Sequence, residues 1–324
     1  MLDEILIFQD MELWRKLSDD QVISVELSDG EMAYCSIIGN MGRQYGIVAY
    51  LGDDGLYAYQ SVVEGNDEVM KEMAFLQKSL TVLYGTTEDM EMEDFGLLSR
   101  HTFPPFKGNQ FPIFRRMDPG YLPWPLTQSD VEKLIVILSQ VNDVIVRSNE
   151  NKVQIPDSSA KQWVGRQQAN EDGEWTDTLM TPEPTERKHA PRLAVSETDL
   201  QRIKKSAQPY NGSVELGVFY IGMAIQGETA GEPPSFASIF AAMEINDGMN
   251  VFFKPGNGGM DAFYLQHTFL NMVEKIGLPQ KVFLKNDKVS AYLSPLLKKL
   301  SVEIVHVPRL PYIEEMREQM EKDL

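Results

Sequence analysis

The chain has 324 residues, 43% of them hydrophobic and 24% charged, and a formal net charge of −18. The length suggests about two domains, and the composition is that of an ordinary globular protein. No apolar run reaches the roughly 20 residues that a membrane-spanning helix needs, the acidic N-terminus lacks the basic region of a secretory signal, and the single cysteine, Cys35, excludes internal disulfides and cysteine-based zinc sites. We therefore expect a cytoplasmic, bacterial-type protein that does not engage a membrane.

Three strands joined by tight turns are predicted after a short helix over 10–17. The turns are Asp29-Gly30, a strong hairpin signal, and Asn40-Met41-Gly42. An antiparallel meander is the expected arrangement of these strands. The predicted meander strands and the elements that follow are strands 22–27, 31–39 and 44–52, helix 56–78, strand 79–85, helix 91–100, strand 111–117 and a long helix over 130–146 that Thr127 or Ser129 caps.

Residues 148–195 differ from the rest of the chain because they are polar and rich in proline. Trp163 and Trp175 indicate that part of this segment packs, and Asp172-Gly173 predicts a small hairpin whose second strand is 174–180. We predict an acidic N-terminal domain over 1–147, a partly ordered connector over 148–195 and a C-terminal domain over 196–324.

The last third gives the clearest pattern, with strands that first follow one another and then alternate with helices. Ser196 and Asp199 have the spacing of a helix cap, and Asp261 is expected to cap the helix that begins there. The predicted elements are helix 196–207, strands 214–225, 235–246 and 249–256, helix 261–277, strand 281–286, helix 289–300, strand 302–308 and helix 312–322.

The order βββαβαβα requires a mixed α/β sheet, with three antiparallel strands and two more joined in parallel through crossovers. This is the connectivity of the ribonuclease H-like fold, which the C-terminal half resembles. The same order can be followed less cleanly in residues 22–146. We therefore expect an N-terminal domain of the α+β or α/β class with a similar topology.

Two segments, ISVELSDGEMAYCSIIGNMGRQYGIVAYLGDDGL (23–56) and GLPQKVFLKNDKVSAYLSPLLKKLSVEIVHVP (277–308), resemble an uncharacterised bacterial family. That family pairs two consecutive domains of unknown function. The resemblance implies a division into two domains and a bacterial origin, and it implies no activity and no functional residues.

A metal-dependent nuclease or phosphodiesterase of the ribonuclease H-like class would need several carboxylates around one or two cations. The candidates are Asp287 at the end of strand 281–286, Glu274 near the end of helix 261–277, and Glu215 at the start of strand 214–225. That first strand has no carboxylate in its middle, and Asp287 has a simpler role as the N-cap of the next helix. A degenerate nuclease site is therefore the alternative hypothesis.

Other candidate residues give weak signals. His101, His189, His267 and His306 are isolated in sequence, although His267 and His306 belong to the same half and could approach each other. Cys35 lies in an apolar strand and is expected to be an inert buried thiol.

Two glycine-rich loops, 39–46 and 254–263, match no phosphate-binding motif. The amides of Asn257, Gly258 and Gly259 could form an anion-binding nest beside Lys254. A simple connector is the favoured interpretation, and we predict no cofactor.

Two stretches rich in aromatic residues and proline, 103–114 and 119–126, are the candidates for a partner surface. Phe106, Phe111, Tyr121 and Trp124 could anchor a partner; the alternative is that they seal a domain edge.

The negative charge is concentrated in residues 1–150, where 11 Lys and Arg face 25 Asp and Glu, a net charge of −14. Such a surface repels phosphate groups, so nucleic-acid binding by this half is not expected. Solubility alone explains the charge, and a basic protein partner is the alternative. From these observations we predict a non-catalytic binding or protein-interaction module.

Overall fold

A computed structural model describes residues 1–65, 75, 77–101, 103–169, 174–181, 192–227, 229, 231–285 and 288–324. The chain divides into two compact units, Met1–Asp118 with Pro123–Glu186, and Pro119–Leu122 with Arg187–Leu324. Both units are mixed α/β, and each is built on one mixed sheet. No helix in the described ranges is long and apolar enough to cross a membrane.

The first unit contains a seven-stranded sheet with the strand order β5-β4-β3-β2-β1-β6-β7. Its strands are β1 (Ile23–Glu26), β2 (Met32–Ile38), β3 (Gly46–Leu51), β4 (Ser79–Gly85), β5 (Phe111–Met117), β6 (Trp163–Gln168) and β7 (Trp175–Met180). Its helices are α1 (Leu2–Met11), α2 (Gly52–Glu64), α3 (Met92–Arg100) and α4 (Gln128–Asn149).

Local sequence explains most of these boundaries. Gly30 adopts a positive φ of 78° in the turn between β1 and β2, as the hairpin signal requires. Thr127 caps α4 in a capping box with Asp130, so Thr127 and not Ser129 is the cap. Buried apolar residues of α1 and α4 pack with one face of the sheet, and those of α2 pack with the other.

The N-terminal helix differs from the prediction. The helix is Leu2–Met11, followed by a 3-10 turn over Leu13–Arg15, whereas a helix over 10–17 was expected. Ile5 and Phe8 bury the inner face of α1 with the spacing of a helix. The first part of the predicted helix 56–78 corresponds to α2, which starts earlier, at Gly52, and ends at Glu64 with Gly65 in the left-handed conformation; residues 66–74 and 76 of that prediction lie outside the described part of the chain.

The expectation that the two halves share a topology is wrong. In the first unit β4 pairs antiparallel with β3, and β5 pairs antiparallel with β4. On the other side of the sheet β6 pairs in parallel with β1, and β7 closes the edge. The order of elements along a chain does not specify which edge of a sheet the next strand joins, so similar orders produced different sheets.

The strands β6 and β7 come from the segment 148–195, for which we expected partial order. The predicted second hairpin strand is present as β7, paired antiparallel with β6; the turn Asp172-Gly173 lies outside the described residues. Arg166 of β6 is buried and donates hydrogen bonds to Asp177 of β7 (2.7 Å) and to Gln140 and Asp143 of α4. These bonds join β6 and β7 to the α4 layer.

The second unit contains a five-stranded sheet with the order β10-β9-β8-β11-β12. Its strands are β8 (Pro209–Ile225), β9 (Ser235–Glu244), β10 (Asn250–Asn257), β11 (Leu278–Leu284) and β12 (Glu303–His306). Its helices are α5 (Glu197–Ser206), α6 (Ala262–Ile276), α7 (Lys288–Lys299) and α8 (Pro311–Lys322).

The pairing predicted for this unit is confirmed. The strands β8, β9 and β10 are antiparallel neighbours, and β11 pairs in parallel with both β8 and β12. Buried residues of α5, α6 and α7 pack on one face of the sheet, and those of α8 pack on the other. The predicted caps Ser196 and Asp261 accept hydrogen bonds from the amides of Asp199 and Tyr264.

Candidate functional site

The carboxylate of Glu215 forms hydrogen bonds with the backbone inside the second unit. Glu215 is buried on β8, and its Oε2 accepts the N–H of Tyr312 (3.0 Å) and the N–H of Ile313 (3.4 Å) at the start of α8. The residue before α8, Leu310, has no side chain that could cap this helix. Glu215 therefore supplies the cap from a neighbouring strand. Burial raises the pKa of the Glu215 carboxyl group, although the two backbone hydrogen bonds act in the opposite direction.

The other two nuclease candidates give no metal site in the described structure. Glu274 lies on α6 and forms an ion pair with Arg202 of α5. Asp287 lies outside the described residues. Within the described ranges, no group of three or more His, Cys, Asp or Glu side chains could hold a metal ion.

The remaining single residues have ordinary surroundings. Cys35 is buried, and burial raises the pKa of its thiol. His306 is exposed with its Nδ1 3.4 Å from Ser290 Oγ, whereas the ring of His267 lies 4.1 Å from that of Phe263. His189 lies outside the described residues.

The loop 254–263 is held in place by hydrogen bonds to the hydroxyl group of Tyr220. The hydroxyl group of Tyr220 donates to the carbonyl oxygen of Gly258 (3.2 Å) and accepts the N–H of Met260 (3.3 Å). Asp261 already places a carboxylate at the N-terminus of α6. A second anion there would meet like charge.

The four aromatic candidates do not share one environment. Phe106 is only 9% exposed and belongs to the core of the first unit, so its assignment to a partner surface is corrected. Phe111 is partly buried against the same core. Trp124 exchanges two backbone hydrogen bonds with Arg116 (2.7 and 2.9 Å), and Tyr121 belongs to the second unit. Aromatic spacing showed where large side chains occur but not the direction in which each one points.

A polar cavity of about 350 Å³ lies on the sheet of the first unit, beside β4 and β5. Its floor is formed by cross-strand pairs, Thr81 opposite Arg115 and Leu83 opposite Ile113. Gly85 allows the side chain of Ile113 and the next turn to approach closely, because a Cβ atom there would lie 2.6 Å from Ile113 Cδ1 and 3.1 Å from Asp89 Cβ. The lining residues are Arg43, Gln44, Thr81, Leu83, Tyr84, Gly85, Asp89, Glu91, Gln110, Ile113 and Arg115.

The polar and charged groups that line this cavity are only partly paired with one another. Arg115 donates two hydrogen bonds to Asp94 (2.8 and 2.5 Å), which raise the pKa of its guanidinium, and lies 3.6 Å from Glu91 Oε2. Glu91 is exposed. Gln110 Oε1 is buried and has no hydrogen-bond partner in the described part of the chain. Arg43 is exposed at the rim and forms no ion pair with a described residue.

A second cavity, of about 420 Å³, is lined by the segment that immediately precedes Asp89 and Glu91. We call residues 86–95 the acidic ridge; they comprise a 3-10 turn over Thr87–Asp89 and the first residues of α3. The side chains of Met92 and Phe95 are exposed on this ridge. The residues that line the second cavity are Thr86, Thr87, Glu88, Gly108, Asn109 and Phe111.

This arrangement was not found from the sequence, although one signal was present. Five of the seven residues from Glu88 to Asp94 are acidic, and Met90 and Met92 stand among them. A short charged helix usually displays such residues to solvent. Only the fold places this segment beside Arg115 and Gln110.

Comparison with known families identifies both parts of the chain. Residues 1–166 match the Domain of unknown function (DUF7309), and residues 199–321 match the Domain of unknown function (DUF6930). A search of curated proteins found no match. The expected succession of two domains of unknown function is therefore confirmed. Because the first match covers more than half of the 324 residues, the chain belongs to the DUF7309 family, in which it carries DUF6930 as its second domain.

Proposed function

We propose that this protein is a non-catalytic binding module whose acidic ridge holds a basic segment of a partner protein. The observation that carries the proposal is a pair of acceptors in one cavity. Gln110 Oε1 is buried without a described partner, and the exposed carboxylate of Glu91 lines the same space. A buried unsatisfied acceptor is costly, and a donor from a ligand would remove that cost.

The size and chemistry of the cavity fit an arginine or lysine side chain. A volume of about 350 Å³ is at the lower end of the range for ligand pockets, which suits one long side chain better than a large cofactor. The N–H groups of the bound arginine or lysine would donate to Gln110 Oε1 and to the carboxylate of Glu91. Arg43 at the rim offers donors that suit backbone carbonyl oxygens of the same bound segment.

Charge and apolar surface favour a protein partner over a free cation. Residues 1–150 carry a net charge of −14, which attracts a basic partner over roughly 8 Å at physiological ionic strength. Met92 and Phe95 add exposed apolar area beside the acidic groups, and methionine adapts well to irregular partner surfaces.

The nuclease alternative has no comparable support. Glu215 caps α8 and Glu274 pairs with Arg202, so neither is presented to a shared cation. We also propose that the second unit has the ribonuclease H-like fold without its usual chemistry. The support is its βββαβαβα order, with β11 parallel to β8 and β12. A cytoplasmic location belongs to the same proposal, supported by the single buried thiol; the proposed bacterial origin rests on the family resemblance alone.

The test measures fluorescence anisotropy of a labelled peptide that contains three arginines among glycine and serine. We expect the peptide to bind the full chain. Its binding should weaken as NaCl rises from about 50 to about 300 mM, since the peptide's guanidinium groups and the carboxylate of Glu91 are exposed to solvent. A peptide with glutamate in place of each arginine should not bind. Glu91→Gln keeps the acceptor oxygen of the α3 capping box but removes the charge, and should weaken binding about threefold or more.

Glu132→Gln is the matched control. Glu132 is an exposed carboxylate on α4, outside the ridge, and its loss changes the net charge by the same amount. Equal weakening by Glu91→Gln and Glu132→Gln would show a general charge effect and would contradict the proposed site. The absence of binding to the arginine peptide at low salt would contradict the proposed function as a whole.

A further inference from the structure

A lysine of the first unit lies over three aromatic rings. The Nζ of Lys107 is 4.7 Å from the ring centroid of Tyr45, 5.2 Å from that of Phe106 and 5.6 Å from that of Trp14. The same Nζ is 3.1 Å from the carboxylate of Glu12. Ring faces attract a cation within about 6 Å, and several rings around one cation form an aromatic cage.

The walls of this cage are fixed before any cation enters. Trp14 is buried, Phe106 is nearly so, and their rings pack edge to face with centroids 5.1 Å apart. Tyr45 packs edge to face with both. The close approach depends on Gly39, because a Cβ atom there would lie 2.7 Å from Trp14 Cβ and from Tyr45 Cδ1.

Lys107, which occupies the cage, is held less firmly than the three rings. The side chain of Lys107 is 40% exposed, and it belongs to a loop closed by a backbone bridge between Phe106 and Gln110. Gly108 and Asn109, which follow it, both have positive φ. The ammonium group can therefore leave by rotation of its own side chain, while Phe106 keeps its place in the core.

The cage offers a better environment to an alkylated ammonium than to a primary one. Ring faces cannot replace the hydrogen bonds that a primary ammonium makes with water, whereas methyl groups need none. Glu12 provides one carboxylate, and Arg15 also contacts it (2.8 Å). When Lys107 leaves, Glu12 thus retains a partner, which lowers the cost of exchange.

We propose that the aromatic cage formed by Trp14, Tyr45 and Phe106, with Glu12 at its side, is a binding site for an alkylammonium group, and that Lys107 occupies it in the free protein. This site does not rest on the function proposed for the acidic ridge. Because Lys107 is tethered beside the cage, an external cation competes with an intramolecular one at millimolar effective concentration.

The experiment titrates full-length protein with tetramethylammonium chloride by calorimetry, with ionic strength held constant by KCl. Lys107→Gln keeps much of the side-chain length but removes the charge, and should bind tetramethylammonium with a Kd lower than that of wild type by about fivefold or more. Lys152→Gln is the matched control, since Lys152 is an exposed lysine paired with Glu150. It should behave as wild type does.

A second variant tests the rings themselves. Adding Tyr45→Leu to Lys107→Gln keeps an apolar side chain but removes one ring face, and should abolish most of the gained affinity. Equal affinity of Lys107→Gln and wild type, or undiminished binding after Tyr45→Leu, would overturn the proposal.

Wild-type protein gives an independent measurement that needs no variant. Acetic anhydride should modify Lys107 more slowly than Lys152, and tetramethylammonium should accelerate modification of Lys107 alone, as followed by mass spectrometry. No change in the rate at Lys107 would contradict displacement. A peptide carrying trimethyllysine distinguishes the possible sources of the ligand. If it binds more tightly than the same peptide with unmodified lysine, the ligand is a methylated protein. If the two peptides bind equally while tetramethylammonium still binds, the ligand is a free quaternary amine.

Discussion

The arginine that joins β6 and β7 to α4 allows a sharp test of how the first unit is held together. Arg166 and Arg147 contact the same two carboxylates, Asp143 and Asp177. They differ in burial, because the side chain of Arg166 is 5% exposed and that of Arg147 is 28% exposed. Replacing each arginine by methionine therefore compares a buried and an exposed member of one network.

The magnitude for Arg166→Met follows from its contacts. The substitution removes bonds to Asp143 (2.8 Å), to Asp177 (2.7 Å) and to Gln140 (3.1 and 2.8 Å). Breaking a buried ionic pair costs about 3–5 kcal/mol. Arg147 remains with both carboxylates, which are themselves partly exposed, so we expect a loss of about 3 kcal/mol, the lower end of that range. Arg147→Met should cost about 1 kcal/mol or less.

Urea unfolding followed by tryptophan fluorescence measures these losses selectively. All four tryptophans lie in the first unit, and Trp175 lies close to Arg166. With a slope of about 2 kcal/mol per molar urea, the midpoint for Arg166→Met should fall by about 1.5 M. Equal shifts for the two variants, or a shift below about 0.5 M for Arg166→Met, would refute the claim that this buried network stabilises β6 and β7.

Three further predictions test other parts of the fold. The pKa of Glu215 in the folded protein is raised above its ordinary value of 4.5. The contribution of this carboxyl group to stability is therefore fully present below that value and is lost as pH rises through the folded pKa. Relative to wild type, Glu215→Gln should gain stability between about pH 4 and 7, measured by urea unfolding with circular dichroism. Cys35 should react with a thiol reagent only after denaturation, and rapid reaction of native protein would contradict its burial. Gly46→Ala should lower the free energy of unfolding by about 3 kcal/mol or more, since a Cβ atom there would lie 2.1 Å from the Val82 carbonyl oxygen. Gly96→Ala in α3 is the comparison, because a Cβ atom there meets no atom within 4 Å. It should raise the free energy of unfolding by up to about 1 kcal/mol in the same urea assay.

Local signals in the sequence were reliable where local chemistry decides the structure. Thr127, Ser196 and Asp261 cap the helices that they were expected to cap, and the strands 79–85 and 111–117 have their predicted limits. Hydrogen bonds between neighbouring residues fix the three caps. Their energy does not depend on where the rest of the chain lies.

Pairing between distant segments could not be predicted in the same way. Nothing in the sequence of β6 states that it joins β1 in parallel, and the buried Arg166 in that strand is misleading because charged residues rarely occur in a core. Phe106 was misassigned for a related reason. Its aromatic partners, Trp14, Tyr45 and Tyr84, are distant in sequence and meet it only in the folded unit.

The loop 106–110 links the two candidate sites of the first unit. Lys107 fills the aromatic cage, while Gln110, the last residue of the loop, supplies the unsatisfied acceptor of the 350 Å³ cavity. The backbones of Phe106 and Gln110 exchange hydrogen bonds of 2.8 and 3.3 Å, so the two ends of the loop are held together. We expect the backbone of residues 107–109 to adjust when the Lys107 side chain leaves the cage, and the Phe106–Gln110 bridge to transmit this change to Gln110.

If two ligands act on one loop, each changes the other's affinity by the same factor. Tetramethylammonium should therefore alter the affinity of wild-type protein for the arginine peptide, measured by anisotropy at constant ionic strength. The Lys107→Gln protein, whose loop is already released, should show no such change. An equal effect of tetramethylammonium on both proteins would mean that it acts without displacing Lys107, and that the cage and the cavity are independent.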